Sequence, residues 1–78
     1  MVYPNPGSGI FTLTLSQIPT TNTEVRLVDA LGQVLYTGML TEQSKQFDFS
    51  HLASATYYLL INNNEGQISK PVIIRHND

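Results

Sequence analysis

The sequence predicts an all-β domain, a small antiparallel β-sandwich of about six or seven short strands. Apolar and polar side chains alternate along several stretches, residues that favour tight turns separate these stretches, and helical spacing is almost absent. A chain of 78 residues is expected to form one domain, spanning residues 1–78, around one compact core. A deep catalytic cleft would compete with that core for residues.

The clearest alternation lies in Ile10–Ser16, where Phe11, Leu13 and Leu15 occupy one face and threonines the other. Thr56–Asn62 is apolar on both faces, which is typical of a central strand. The remaining predicted strands are Glu24–Asp29, Gln33–Gly38, Lys45–Ser50 and Ser69–Arg75. Eight side chains are expected to be mostly buried: Phe11, Leu13, Val25, Leu27, Phe47, Tyr57, Leu59 and Ile61.

Turn-forming residues agree with this division. Asp29–Gly32 predicts a type I turn, with Asp29 accepting backbone hydrogen bonds and Gly32 adopting a left-handed conformation. Asn62–Gly66 predicts a second hairpin turn, and Ser50–Ala55 is interpreted as a turn between strands. Pro71 has no N–H group to donate, so the last strand is expected at a sheet edge or at a bulge.

Composition disfavours several classes of function. The net charge of −2 and a pI of about 5.5 provide no basic surface for nucleic acid. No stretch is long and apolar enough to predict a membrane span, so no direct membrane insertion is expected. The absence of cysteine excludes disulfides and cysteine-based zinc sites.

The polar residues do not predict catalysis, a cofactor or a metal. His51 and His76 have no third ligand at suitable spacing. Ser8 lies between two glycines but lacks the preceding strand and following helix of a nucleophile elbow. The carboxylates form no evident acid–base pair. We interpret three tyrosines, Tyr36, Tyr57 and Tyr58, as residues that pack in the core or across strands rather than as a surface that binds carbohydrate.

The segment YPNPGSG, Tyr3–Gly9, is the most unusual stretch. Its prolines, Pro4 and Pro6, each bias the preceding residue towards extended conformations and so stiffen the entry to the first long strand. Asn5 can hydrogen bond nearby backbone, and Gly7 and Gly9 allow a sharp change of direction.

With its continuation, this stretch resembles the start of the type A C-terminal sorting domains of the bacterial type IX (Por) secretion system. The resemblance rests on Tyr3, Pro4, Asn5, Pro6 and Gly9, and it covers nearly the whole chain. VRLVDALGQVLY is similar to the family's strand–Asp-x-x-Gly–strand hairpin at Asp29 and Gly32. FDFSHLASATYYLLI is similar to its Leu-x-x-Gly-x-Tyr region at Leu52 and Tyr57.

The chain departs from the family pattern at Ala55, where the family usually has Gly. If the position requires a positive φ, alanine would be strained. SKPVIIR is similar to the family's terminal basic and apolar strand. Our candidate recognition strand within it comprises Lys70, Val72, Ile73, Ile74 and Arg75. An exposed sheet edge can recognise a partner by strand pairing.

The resemblance implies a non-catalytic targeting domain, joined to an N-terminal cargo domain in a larger protein. It implies recognition in the periplasm, passage through the type IX translocon with outer-membrane shuttle and sortase proteins as partners, and arrival at the cell surface or in the medium. The alternative interpretation is a passive immunoglobulin-like spacer or a carbohydrate-binding module on an extracellular enzyme. An exposed row of aromatic side chains would favour that alternative.

Overall fold

The computed structural model describes residues 2–3, 7–16, 22–63 and 66–76. They form seven strands and no helix. The strands are β1 (Val2–Tyr3), β2 (Ile10–Thr14), β3 (Thr23–Val28), β4 (Val34–Leu40), β5 (Ser44–Asp48), β6 (Ala55–Asn63) and β7 (Gly66–Ile74). Within these residues no helix could span a membrane.

The strands form two antiparallel sheets. One has three strands in the order β1-β2-β5, and the other has four in the order β4-β3-β6-β7. The predicted sandwich is therefore confirmed. The predicted central position of β6 is confirmed as well, because β6 pairs with both β3 and β7.

The core lies between the sheets and contains all eight side chains predicted to be buried. Leu13 from one sheet and Leu27 and Leu59 from the other are fully buried. Five further apolar side chains are buried as well: Val28, Leu40, Phe49, Val72 and Ile74. Removing this apolar surface from water is the main stabilising contribution to folding.

An aromatic cluster joins the two sheets near one end of β5. The Tyr36 ring of β4 meets the Phe47 ring edge-on at 5.7 Å and the Phe49 ring at 5.3 Å. Tyr36 lies over Gly38 on its own strand, and a Cβ atom at Gly38 would meet its hydroxyl group. The sequence predicted a strand that ends at Gly38, but β4 continues to Leu40.

Candidate recognition surface

The terminal strand β7 forms one edge of the four-stranded sheet. Pro71 lies opposite Tyr58 in a register that runs unbroken from Asn63–Gly66 to Ala55–Ile74. The edge position predicted from Pro71 is thus confirmed, and this pairing has no bulge. An edge strand accommodates proline because the missing N–H group can face away from the neighbouring strand.

The end of β7 is covered by the chain's own N-terminal segment. The Gly7 N–H group donates to the Ile73 carbonyl at 3.0 Å, and the Arg75 N–H group donates to the Gly7 carbonyl at 2.8 Å. These two bonds form a parallel bridge between Gly7 and Ile74. Over Gly66–Lys70, no described strand or bridge lies on the outer side of β7.

The five residues of the candidate recognition strand have different environments. Val72 and Ile74 are buried in the core, and Ile73 is half-buried. Lys70 and Arg75 are both exposed. Lys70 and Arg75 are five positions apart along extended chain, so their side chains point to opposite faces and their Cα atoms are about 16 Å apart. The two basic side chains therefore do not form a single patch.

Gly9, from the N-terminal motif, is buried and has a φ of 109°. A Cβ atom there would lie 2.7 Å from the Ser50 Cα atom and 2.8 Å from the Phe49 carbonyl carbon. The Gly9 carbonyl also accepts a hydrogen bond of 2.7 Å from the Phe49 N–H group. Conformation and close backbone approach both require glycine here. Tyr3 of the same motif pairs with Thr12, while Pro4, Asn5 and Pro6 lie outside the described residues.

The predicted turn after β3 is confirmed by its hydrogen bonds. The Gly32 N–H group donates to the Asp29 carbonyl at 3.0 Å. One Asp29 carboxylate oxygen accepts from the N–H groups of Leu31 and Gln33, each at 2.9 Å. Gly32 has a φ of 87°, in the left-handed region. This Asp-x-x-Gly pair therefore closes a hairpin and holds the exposed Leu31 at its tip.

Comparison with known proteins identifies the family. The profile described as "Secretion system C-terminal sorting domain" matches residues 1–75. The chain belongs to this family of type IX secretion sorting domains. Family members are non-catalytic signals that the type IX system recognises, and its substrates cross the outer membrane to the cell surface or beyond.

The fold is similar to a solved structure of PorZ, a bacterial surface component of the type IX secretion system of Porphyromonas gingivalis. The TM-score is 0.78 at 17% identity, over 97% of this chain and 11% of the PorZ chain. The chain therefore spans about a ninth of that protein, and the likeness concerns the fold alone. A search of curated proteins found no match.

In this sorting domain, the Leu-x-x-Ala-x-Tyr segment fastens the turn before β6. The Tyr57 side chain is buried, and its hydroxyl group donates a hydrogen bond of 2.7 Å to the Ala53 carbonyl. This bond is similar to that of a tyrosine corner in other β-sandwiches. Leu52 packs against the core. Ala55 has no positive φ, so alanine in place of the family's usual glycine is unstrained.

His76 also holds this turn of the sorting domain. Its ring Nε2 atom lies 2.7 Å from the Leu52 carbonyl oxygen, and its backbone N–H group donates to the Ser54 hydroxyl oxygen at 2.9 Å. No pattern in the sequence marked this contact, because the two segments are far apart along the chain. The Gly7 bridge therefore holds the end of β7, and the contacts of His76 hold the residues that follow it.

Asp48 illustrates how a carboxylate of the sorting domain holds a turn. Among the described residues no three metal-ligating side chains cluster. Asp48 accepts hydrogen bonds from the Ser50 hydroxyl at 2.6 Å and from the Ser50 N–H group at 3.0 Å. These two bonds lower the pKa of the Asp48 carboxyl below its usual 3.8. The arrangement stabilises the carboxylate and does not create a proton donor near neutral pH.

Proposed function

We propose that this chain is the folded, non-catalytic sorting domain of a secreted cargo protein and that it acts as a ligand of the type IX machinery. The family match over residues 1–75 carries this proposal. The local structure supports it, because the motif residues Gly9, Asp29 and Tyr57 all maintain the fold. A signal built in this way is recognised as a folded surface rather than as an extended peptide.

In this proposal the cargo precedes the domain in a longer chain, and residues 1–78 are its C-terminal part. The longer chain first crosses the inner membrane by an N-terminal signal, and its folded C-terminal domain is then recognised in the periplasm. The translocon, an outer-membrane shuttle and a sortase are the partners that act in turn. Neither nucleic acid nor a cofactor takes part.

The recognition handle that we propose is the β7 edge, with Lys70 and Arg75 as its charged contacts. Gly66–Lys70 has its outer side uncovered by other described strands, so a partner strand can pair there. Lys70 lies within this stretch, and Arg75 lies beyond the Gly7 bridge. Val72, Ile73 and Ile74 take part by packing the strand onto the domain.

The test is a reporter fused to the N-terminal side of this domain in a strain with a working type IX system. The reporter should reach the surface or the medium, and the double variant Lys70→Ala/Arg75→Ala should retain it in the periplasm. The matched control is Arg26→Ala/Lys45→Ala, which removes the only other two Lys and Arg residues of the chain. This control should be exported like the parent.

Equal export of both double variants, each with an unchanged unfolding midpoint, would show that the two basic residues are not the handle. Retention of the intact fusion, in a strain that exports another sorting domain, would refute the sorting proposal itself. The passive-module alternative has no support from exposed aromatics. Tyr3 and Tyr58 are both partly exposed but belong to different sheets and form no row.

A further inference from the structure

The first and last described parts of the chain are joined on the outer side of β7. The Gly7 N–H group donates to the Ile73 carbonyl at 3.0 Å, and the Gly7 carbonyl accepts from the Arg75 N–H group at 2.8 Å. These two hydrogen bonds make a parallel bridge between Gly7 and Ile74, whereas the paired strands of both sheets are antiparallel. Two positions near opposite ends of the sequence are therefore held together directly.

The parallel orientation decides how the bridge responds to force. Because the backbone at Gly7 runs in the same direction as β7, a pull on the N-terminus draws Gly7 towards the Gly66 end of this strand. A pull on the C-terminus draws Ile74 in the opposite direction. Both hydrogen bonds are then loaded along the strand, so they must break together. Hydrogen bonds that are loaded across a strand instead break one after another.

Both sides of the bridge are fixed to the body of the sandwich. On the N-terminal side, Gly9 is buried and its carbonyl accepts a hydrogen bond of 2.7 Å from the Phe49 N–H group. On the C-terminal side, β7 pairs with β6 along its whole length, and Val72 and Ile74 are buried in the core. A pull on the two ends therefore has to break the bridge before it can extend the chain between Gly9 and β7.

We propose that the Gly7–Ile74 bridge is a mechanical clamp, which keeps the domain folded when its N-terminal and C-terminal ends are pulled apart. Each hydrogen bond contributes little to the free energy of unfolding of the resting domain. Resistance to force depends instead on the rate of unfolding, and hence on the bonds that must break first. The clamp therefore raises the unfolding force much more than it raises the equilibrium stability.

The use of this clamp in the cell rests on the proposed function. In that proposal the cargo lies on the N-terminal side and the β7 handle lies near the C-terminus, so a moving cargo and a held handle load the bridge lengthwise. The resistance of the bridge to force does not depend on that function, because it is measured on the purified chain alone.

A second pulling direction leaves the bridge outside the load. Leu31 is exposed at the tip of the turn between β3 and β4, and β4 lies at the sheet edge opposite β7. Val28 is opposite Tyr58, which is opposite Pro71, so this turn lies at the same end of the sheet as Ile74. A pull between Leu31 and the C-terminus therefore acts across the strands and separates them bond by bond.

The experiment is single-molecule force spectroscopy. The chain has no cysteine, so handles can be attached at cysteines added to the termini or at Leu31→Cys. The parent should unfold at a higher force between its two ends than between Leu31 and the C-terminus. Gly7→Pro, which removes the donor to Ile73, should lower the end-to-end force to that of the second direction and leave the second direction unchanged. The matched control is Asp29→Ala, which removes the acceptor of two hydrogen bonds from Leu31 and Gln33 and should keep the end-to-end force of the parent.

Circular dichroism and urea denaturation establish that each variant is folded. If Gly7→Pro does not fold, Arg75→Pro carries the same test, because it removes the other donor of the bridge. A parent that unfolds at the same force in both directions refutes the clamp, and so does an end-to-end force that is unchanged by loss of a bridge donor. An equal loss of force in both directions also overturns it, because the bridge would then contribute only to general stability.

Discussion

Replacing Gly9 by alanine tests whether the N-terminal motif is held by backbone contact with the end of β5. The substitution adds one methyl group at a buried position with a φ of 109°. That group would lie 2.7 to 2.8 Å from backbone atoms of Phe49 and Ser50. Backbone atoms cannot rotate away as the end of a side chain can, so β5 and the segment before β2 must separate.

Two costs combine in this variant. A non-glycine residue in a sparsely populated backbone region costs about 1–3 kcal/mol. Overpacking a close contact costs about 1–3 kcal/mol more. The expected loss is therefore about 2–6 kcal/mol, against a total stability of about 4–12 kcal/mol for a domain of this size. The hydrogen bond from Phe49 to the Gly9 carbonyl is expected to lengthen as the two segments separate.

Urea denaturation followed by circular dichroism measures this loss. Gly32→Ala is the matched control, because Gly32 also has a positive φ, 87°, but no atom within 4 Å of the added methyl group. The Gly32→Ala variant should be destabilised only by its backbone conformation. The Gly9→Ala variant should therefore be less stable than Gly32→Ala by about 1–3 kcal/mol. Equal losses in the two variants would refute the argument that backbone contact requires glycine at position 9.

Two further predictions concern the core and the turn after β5. Leu59→Ala should destabilise the domain by about 2–5 kcal/mol, because Leu59 is 0% exposed and its removal leaves a cavity; a loss under about 1 kcal/mol in chemical denaturation would contradict its core position. Because the pKa of Asp48 is lowered in the folded state, its carboxylate should contribute fully to the free energy of unfolding well above pH 3.8. This contribution should be lost as the pH falls through the lowered pKa. The difference in unfolding free energy between the parent and Asp48→Asn should therefore shrink in acid, and a difference that is constant from pH 6 to pH 2 would exclude the carboxylate as its source.

Local patterns predicted most of the sheet structure. Alternating residues located β2, β3 and β5, and the Asp29–Gly32 turn was predicted from side-chain chemistry that acts over four residues. β7 was predicted from Ser69, but it begins at Gly66. Its first residues are exposed and do not alternate, and pairing with β6 holds them in the strand. Hydrophobic periodicity contains no signal for such residues.

The nonlocal contacts of the candidate site could not be predicted. The motif around Gly9 was recognised from its residues, but its contact with Phe49 and Ser50 depends on how β2 and β5 pair. Likewise, nothing near Ile74 in the sequence indicates that Gly7 lies beside it. Pro71 predicted an edge strand, whereas the extent of the uncovered edge follows only from the tertiary arrangement.

The bridge between Gly7 and Ile74 has a consequence for the order of events during synthesis. The two residues lie near opposite ends of the chain, so this contact forms only after translation of the whole domain. A chain that stops before the last strand leaves Gly7 without its bridge and leaves β6 paired with β3 alone. The bridge therefore forms only in a chain that contains both the Gly7 segment and the terminal strand of this domain.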